Sequence, residues 1–154
     1  ILADSALHHG TPADQVRTLL ETMGRCHGVR RALAALSLAD PRAASPAESF
    51  ARHLIHTHGL PRPELQVLVP TARGRRYLDL GWPQLRLGLE VDGRAKYFEH
   101  GPTAEVVFQE RQREKDIMAE GWHLLRTDWP EMRDRPTTLI RRLSEAIILR
   151  RAMR

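Results

Sequence analysis

Residues 77–93 read YLDLGWPQLRLGLEVDG, a stretch that contains two strand patterns separated by a turn. Apolar and polar residues alternate from Arg76 to Leu80 and again from Leu85 to Val91, which is the period of a half-buried β-strand. The short connection between them, Gly81 to Gln84, favours antiparallel neighbours. A third run of the same kind, Leu65 to Val69, precedes them. Three consecutive antiparallel strands are therefore expected.

The alternation divides these strands into an apolar and a polar face. Leu78 and Leu80 are expected on the same apolar face, and Leu85 is expected with the leucines of the third strand. Gly88 lies on the polar face, where a missing side chain leaves room for a metal or a substrate backbone. The polar side chains of that face are Gln66, Tyr77, Asp79, Arg86, Glu90 and Asp92.

Three of these side chains are carboxylates, and two of them suit a metal. Mg²⁺ usually takes one or two protein carboxylates, with water and substrate phosphate oxygens completing its shell, so Asp79 and Glu90 can supply a pair. A metal held there lowers the pKa of a bound water and neutralises charge on a phosphate under in-line attack, which is phosphodiester hydrolysis. The alternative is that an antiparallel sheet has a wet face on which acids are ordinary, and Asp92 before Gly93 also suits a turn that ends the strand.

Helical patterns surround the three strands. The segment from Ser45 to Glu48 matches a capping box in front of a helix with an apolar stripe. The charged stretch from Thr103 to Glu120 has helical period, Trp122 to Arg126 is a fourth strand pattern, and a last helix is expected from about Pro136 to the end. The order after Asp40 is helix, three strands, helix, strand, helix, so an α/β fold is predicted.

A helical lead-in precedes this order. Helical spacing predicts two short helices before Asp40, separated by Gly24 and Gly28. The stretch from Asp40 to Pro46, with two prolines and small residues, is expected to be a linker. We therefore predict a lead-in over residues 1–44 and a main domain over residues 45–154.

The composition indicates nucleic acid as a partner and a reducing compartment. The 154 residues include 24 Lys and Arg against 19 Asp and Glu, a net charge of +5, and the sequence pI is about 10.3. A domain this basic is a candidate for nucleic-acid binding, and Arg suits phosphate because its planar fork donates two hydrogen bonds. The single cysteine, Cys26, excludes an internal disulfide and a multi-cysteine zinc site. No segment suits a membrane span or a signal peptide, so the cytoplasm is expected.

Several short segments, taken in this order, resemble the very-short-patch-repair-like family of bacterial domains, part of the PD-(D/E)XK nuclease superfamily. The resemblance covers residues 45 to 129, just over half of the chain. It depends on order and spacing, since no single segment is specific. The matching segments are Ser45 to Ser49, Gly59 to Pro63 with Gln66, Tyr77 to Pro83, Leu87 to Gly93, Glu110-Arg111 with Arg113, and Gly121-Trp122 with Leu125-Arg126.

The resemblance implies a restriction-endonuclease-like core, an αβββαβ arrangement whose mixed sheet is flanked by helices, with a helical extension before it and a helix after it. It places Asp79 and Glu90 at the positions that bind Mg²⁺ or Mn²⁺. It makes Glu48 the acid carried by a helix, which is expected to act in catalysis as an auxiliary metal ligand or to orient the water. The superfamily usually has Lys two positions after the second acid, where this chain has Asp92. Lys96 is the nearest replacement, and an ordinary surface lysine explains that residue equally well.

Two functions are consistent with these features. The first is a metal-dependent DNA endonuclease, in DNA repair or defence, with DNA contacts from Gln66, Arg76, Arg111 and Arg113. The second is a nuclease-fold module without catalysis that binds DNA as a regulator, such as part of an antitoxin-like repressor. Because the chain starts at Ile1 instead of Met, a longer protein is expected. The resemblance adds an upstream winged-helix segment similar to type IV antitoxins.

Overall fold

Four β-strands form one mixed sheet in the computed structural model, which describes residues 1–92 and 104–153. The strands are β1 Glu64–Thr71, β2 Gly74–Trp82, β3 Leu87–Asp92 and β4 His123–Asp128. They are adjacent in chain order, with β1 antiparallel to β2, β2 antiparallel to β3, and β3 parallel to β4. The three antiparallel strands that the sequence predicts are therefore confirmed.

Seven α-helices lie in the described part of the chain, and a 3-10 turn, Pro83–Leu85, joins β2 to β3. The helices are α1 Leu2–His8, α2 Ala13–Thr22, α3 Val29–Leu38, α4 Pro46–Thr57, α5 Ala104–Ala119, α6 Trp129–Asp134 and α7 Pro136–Ala152. The crossover between the parallel strands contains α5. Apolar residues of α4, α6 and α7 pack on one face of the sheet and Ile117 of α5 packs on the other, so the α/β fold has helices on both faces. None of the helices in the described residues combines the length and apolar character that crossing a membrane requires.

The predicted order of elements is confirmed, and two helices were missed. The two short helices expected before Asp40 are α2 and α3. The missed helices are α1 and α6. α6 begins at Asp128, whose carboxylate accepts the N–H of Glu131 at 2.8 Å, and Pro follows within its first turn. An acidic N-cap followed by Pro is a start signal that the sequence does contain.

The prediction was wrong about the start of β3. Leu85 belongs to the 3-10 turn instead of the strand, and Arg86 adopts a positive φ of 45°. This conformation takes Arg86 off the polar face, and its guanidinium donates to the carbonyl of Glu120 at 3.1 Å. Gly88 is also not open to a ligand, because a Cβ added there would come within 2.8 Å of the Leu78 side chain. This glycine therefore serves close packing within the protein.

Two separate apolar cores lie on the sheet, a larger one under α4, α6 and α7 and a smaller one under α5. Leu80 belongs to the larger core and Leu78 to the smaller, although residues two apart on a regular strand point to the same face. Leu65 and Val67 of β1 separate between the two cores in the same way. The expectation that Leu78 and Leu80 share a face is therefore wrong. The β1–β2 ribbon twists between these two residues, so that the face that covers the larger core before the twist no longer covers it after the twist.

Gln66 lies at this exchange of faces, opposite Asp79. Gln66 has a φ of 51°, a left-handed conformation that a residue with a side chain rarely adopts. The pairs on either side, Leu65 with Leu80 and Val67 with Leu78, keep one common register. The two strands thus stay paired while the ribbon twists. The alternation of side chains between the two faces of β2 is broken at Asp79.

α4 begins with a modified form of the predicted capping box. The Ser45 hydroxyl accepts the N–H of Glu48 at 3.1 Å, as expected of an N-cap. The Glu48 carboxylate accepts the N–H of Ala44 at 2.9 Å and the Ser45 hydroxyl at 3.0 Å, instead of the N–H of the N-cap residue. Glu48 is buried, so these bonds hold its side chain at the start of α4.

A buried ion pair joins the lead-in to α4. Arg52 Nη1 lies 3.1 Å from Asp4 Oδ2, and both side chains are less than one-tenth exposed. Asp4 Oδ1 also accepts the N–H of Asp40 at 2.8 Å, and Arg52 donates to the carbonyl of Leu38. These contacts hold α1 and the end of α3 against α4. The stretch that was predicted as a linker thus begins with a buried residue, Asp40.

Replacing Asp4 with Ala is expected to destabilise the fold by roughly 3 to 5 kcal/mol, because the guanidinium of Arg52 would stay buried without its counter-charge. The N–H of Asp40 would lose its acceptor as well. Urea unfolding measures this change. The control is Glu145→Ala, which removes an exposed pair with Arg141 and should alter the free energy of unfolding by less than about 1 kcal/mol. Equal effects of the two substitutions would contradict the importance of the buried pair.

Candidate functional site

β2 and β3 separate where Asp79 lies. Their last paired residues on this side are Leu80 and Leu89, so the ladder ends next to Asp79. The carboxylate of Asp79 then accepts the N–H of Val91 through Oδ2 at 2.8 Å. A side chain thus bridges the two strands where backbone pairing stops, and the backbone of β3 orients the carboxylate.

Glu90 lies on β3 beside this opening and is bound by an arginine. Its side chain is 7% exposed, and Oε1 accepts a hydrogen bond from Arg113 Nη2 at 2.9 Å. Arg113 comes from α5 and also donates to the carbonyl of Tyr77 on β2. One guanidinium therefore joins β2 and β3 and places a positive charge beside Glu90.

Burial and the negative charge of Asp79 perturb two acids of this region, Glu90 and Glu48. Burial raises the pKa of Glu90 to about 7, the negative charge of Asp79 adds to the rise, and Arg113 opposes it. Burial also raises the pKa of Glu48, and the charge of Asp79 contributes there too. The charge of Asp79 therefore acts on both Glu48 and Glu90.

Glu48 reaches this region from the start of α4. Gln66 Nε2 donates to Glu48 Oε2 at 3.2 Å, so the residue at the exchange of faces binds the acid of the helix. Both oxygens of Glu48 are engaged, one by Ser45 and the other by Ala44 and Gln66. In this arrangement Glu48 joins α4 to the ribbon.

A second group of charges continues the site from β3 to β4. Asp92 lies 3.6 Å from Arg126 Nη1, and Arg126 Nη2 binds Glu110 Oε1 at 2.7 Å. Glu110 Oε1 also lies 3.3 Å from Arg113 Nη1, which links this group to Glu90. Burial raises the pKa of Asp92, and the charge of Arg126 opposes the rise. Three acids and two arginines therefore form one continuous network.

Sequence reasoning missed Glu110 and Arg126 as members of this network. Glu110 and Arg113 are three residues apart and so share one face of α5, a signal that the sequence does contain. Arg126 lies opposite Glu90 in the register of the parallel strands. No local pattern marks that position, because the register of a parallel pair depends on how the crossover packs.

The residues present fit a hard divalent cation in part. Asp79 Oδ1 and Glu90 Oε2 accept no hydrogen bond from residues 1–92 or 104–153, so each acid keeps an oxygen for a ligand. One or two carboxylates are what Mg²⁺ usually takes from a protein. Within those same ranges no group of three or more His, Cys, Asp or Glu side chains is arranged to hold a metal. Within the described part of the chain the donor set is thus at most a pair of carboxylates, and Arg113 competes with a cation for Glu90.

Among the described residues, no contact joins the predicted site residues Arg76 and Arg111 to the acids of this site. Arg76 Nη2 forms an ion pair with Asp116 Oδ2 of α5 at 2.9 Å. Arg111 is exposed on α5. Lys96, the expected replacement for the superfamily's lysine, lies outside the described residues.

Comparison with known proteins identifies two relatives, which are uncharacterised proteins of two strains of Mycobacterium tuberculosis. Each is 32% identical to this chain over 125 residues. The aligned region covers 80% of this chain and 44% of each relative, so the chain spans less than half the length of these curated relatives. The sequence matches no known family profile, and no solved structure matches the chain significantly.

Replacing Glu90 with Gln is expected to remove a pH dependence of stability. The unfolded chain releases this proton near the ordinary pKa of 4.5, whereas the folded protein holds it up to about 7. The stability contributed by Glu90 is therefore present below a pH of about 4.5 and is lost as the pH rises through about 7. Between about pH 5 and about pH 8 the wild type should lose roughly 2 kcal/mol relative to Glu90→Gln, measured by urea unfolding in the presence of a chelator.

Glu145→Gln is the matched control for this measurement, because Glu145 is exposed on α7 and lies opposite Arg141. This variant should follow the wild type at both pH values. Parallel pH dependences of the wild type and Glu90→Gln would show that Glu90 does not hold its proton in the folded state.

Proposed function

We propose that this chain is a DNA endonuclease domain that requires Mg²⁺ or Mn²⁺, with Asp79 and Glu90 as the metal ligands. The observation that carries the proposal is the opening between β2 and β3, where Asp79 bridges the strands and its charge contributes to the raised pKa of Glu90. Two electrically linked carboxylates at such an opening are a donor set that a hard cation takes. Perturbed acids of this kind are also concentrated at functional sites.

The order and pairing of the elements support the proposal. The elements α4, β1, β2, β3, α5 and β4 follow one another, and β3 and β4 are the one parallel pair in the described sheet. A restriction-endonuclease-like core, which the resemblance implies, has this αβββαβ order with a mixed sheet. The net charge of +5 suits a polyanionic substrate.

Each of the two acids would bind the cation with one oxygen while its other oxygen stays bound within the protein. Asp79 would bind the cation through Oδ1 while Oδ2 stays on the N–H of Val91, which keeps the ligand oriented. Glu90 would bind it through Oε2 while Oε1 stays on Arg113. A bound Mg²⁺ would supply a water of lowered pKa and neutralise charge on the scissile phosphate.

In the proposed site, Arg113 takes the place of the lysine that the superfamily usually has two positions after its second acid. It supplies the positive charge beside Glu90. The position of that lysine is held by Asp92, which is paired with Arg126. A guanidinium at 2.9 Å from Glu90 is able to donate to a phosphate oxygen as well. Glu48 acts as a positioning residue, since its bonds hold α4 against the ribbon.

Asp79→Asn is expected to reduce DNA cleavage at least about 100-fold while the protein stays folded, since loss of a metal ligand should exceed the 10- to 100-fold effect of outer-shell changes. The amide oxygen can still accept the N–H of Val91, but it carries no charge for a cation. Cleavage of supercoiled, linear and mismatched DNA with Mg²⁺ or Mn²⁺ measures the activity. Calorimetry should show metal binding by the wild type and none by Glu90→Ala.

Glu145→Gln is the control for these assays, because it also removes one carboxylate, but an exposed one on α7. It should cleave DNA and bind metal as the wild type does. Undiminished cleavage by Asp79→Asn, with a circular dichroism spectrum like that of the wild type, would remove the site assignment.

A second function, DNA binding without cleavage, is favoured by the contact between Arg113 and Glu90. A cation that enters the site must compete with a charge-assisted hydrogen bond of 2.9 Å. Asp92 also stands where a catalytic lysine is expected. A nuclease fold with such a site would act as a regulator through its basic surface.

Salt titration separates the two functions. A DNA affinity that falls steeply with salt, and that neither a chelator nor Asp79→Asn changes, would favour the regulator. Metal-dependent cleavage of any of the DNA substrates would exclude it.

A further inference from the structure

Beyond the exchange at Gln66, the β1–β2 ribbon has one covered face and one open face. Apolar side chains of the covered face are buried in the smaller core with Ile117 of α5; they are Val67, Val69 and Leu78. On the open face Leu68 and Tyr77 lie directly opposite one another in the register. These side chains are 42% and 48% exposed, so an aromatic ring and a leucine face solvent side by side.

On β2 the open face comes just before the acidic site in the chain. Tyr77 lies two residues before Asp79 on β2, roughly 6.8 Å along a strand. The carbonyl of Tyr77 accepts a hydrogen bond from Arg113, which also binds Glu90. β2 thus carries an exposed ring two residues before Asp79, and the backbone at that ring shares Arg113 with Glu90.

Arg75 lies two residues farther out than Tyr77, on the same face of the ribbon. It is exposed, and in the described ranges it forms no ion pair, whereas its neighbour Arg76 is bound to Asp116 at 2.9 Å. Along β2, Tyr77 and Arg75 therefore present an aromatic ring and a guanidinium on one face, and Asp79 follows two residues after the ring.

We infer that this open face, defined by Leu68, Arg75 and Tyr77, binds the strand of DNA that flanks the phosphate at the acidic site; the inference rests on the function proposed for that site. Tyr77 stacks on a base, Leu68 packs beside the ring, and Arg75 binds a phosphate of the same strand. A base presents its face to a protein ring only when it is not stacked within a duplex. The preferred substrate is therefore single-stranded or locally unpaired DNA.

Size and charge favour nucleic acid over a protein as the occupant. A standard protein interface buries about 800 Å² on each partner, which two half-exposed apolar side chains do not provide. An aromatic ring beside a basic side chain is the unit that single-strand-binding surfaces use. The net charge of +5 adds attraction for phosphate.

Binding of a dye-labelled oligothymidine of about twelve nucleotides, followed by fluorescence anisotropy in the presence of a chelator, tests the inference without requiring cleavage. Tyr77→Ala is expected to weaken binding about tenfold, whereas Tyr77→Phe keeps the ring and should keep the affinity. The wild type should bind a duplex of the same length more weakly than the single strand.

Arg75→Ala should lower the slope of log affinity against log salt by about 0.7, the value for one phosphate contact on a single strand. The matched control is Arg141→Ala, which removes one positive charge from an exposed position on α7 and should leave the slope unchanged. Circular dichroism checks that each variant is folded, which the exposure of the substituted side chains leads us to expect.

Three results would overturn the inference. They are no binding by the wild type, equal affinities of the wild type and Tyr77→Ala, and self-association that Leu68→Lys abolishes in sedimentation, which would make the open face an interface between copies of the chain. Binding that depends on Tyr77 in a protein that cleaves no DNA would support the inference and remove the proposed nuclease function. Cleavage that needs Asp79 but is unaffected by Tyr77→Ala would support the proposed nuclease function and remove the inference.

Discussion

The hydrogen bond from the N–H of Val91 to the carboxylate of Asp79 is the interaction on which the site depends. β2 and β3 are paired at Leu80 and Leu89 and then part, so the next donors of β3 need other acceptors. A buried N–H without an acceptor costs roughly 1 to 3 kcal/mol. Asp79 supplies the acceptor from a side chain, which allows the strands to diverge and also orients the carboxylate. The opening in the sheet and the position of its acid therefore have the same cause.

The opening also brings like charges together, and arginines offset the repulsion. Glu90 is buried close to Asp79 and would be costly there without a counter-charge, which Arg113 supplies from α5. Arg126 of β4 binds Glu110 and lies beside Asp92 in the same way. The acids of β3 therefore receive their counter-charges only when both α5 and β4 pack on β3. The ion pair between Arg113 and Glu90 stabilises the buried acid and also opposes entry of a cation. The same contact therefore supports the site of the proposed nuclease and favours the alternative, DNA binding without cleavage.

The exchange of faces at Gln66 decides what the outer part of the ribbon presents to solvent. Because Leu78 turns towards α5, Tyr77 turns away from it and stays half exposed. A regular ribbon would have placed Leu78 beside Leu80 in the larger core. The same rotation brings Gln66 into contact with Glu48, so α4 is joined to the sheet at the point where the ribbon twists.

The sequence by itself determined the order of the four strands and of the helices other than α1 and α6, because helix caps, turns and strand alternation depend on residues close together in the chain. The capping segment before α4, the antiparallel order of β1 to β3 and the choice of Asp79 and Glu90 as neighbouring acids all followed from such local patterns. The side of the ribbon on which Leu78 lies, the removal of Arg86 from β3 and the partners of Asp92 were decided only by the tertiary structure. Alternation assumes a regular strand, but the left-handed φ of Gln66 and Arg86 occurs without a glycine to mark it. The ion pairs of Arg113 and Arg126 join segments far apart in the chain, so only the packing of α5 and β4 on β3 creates them.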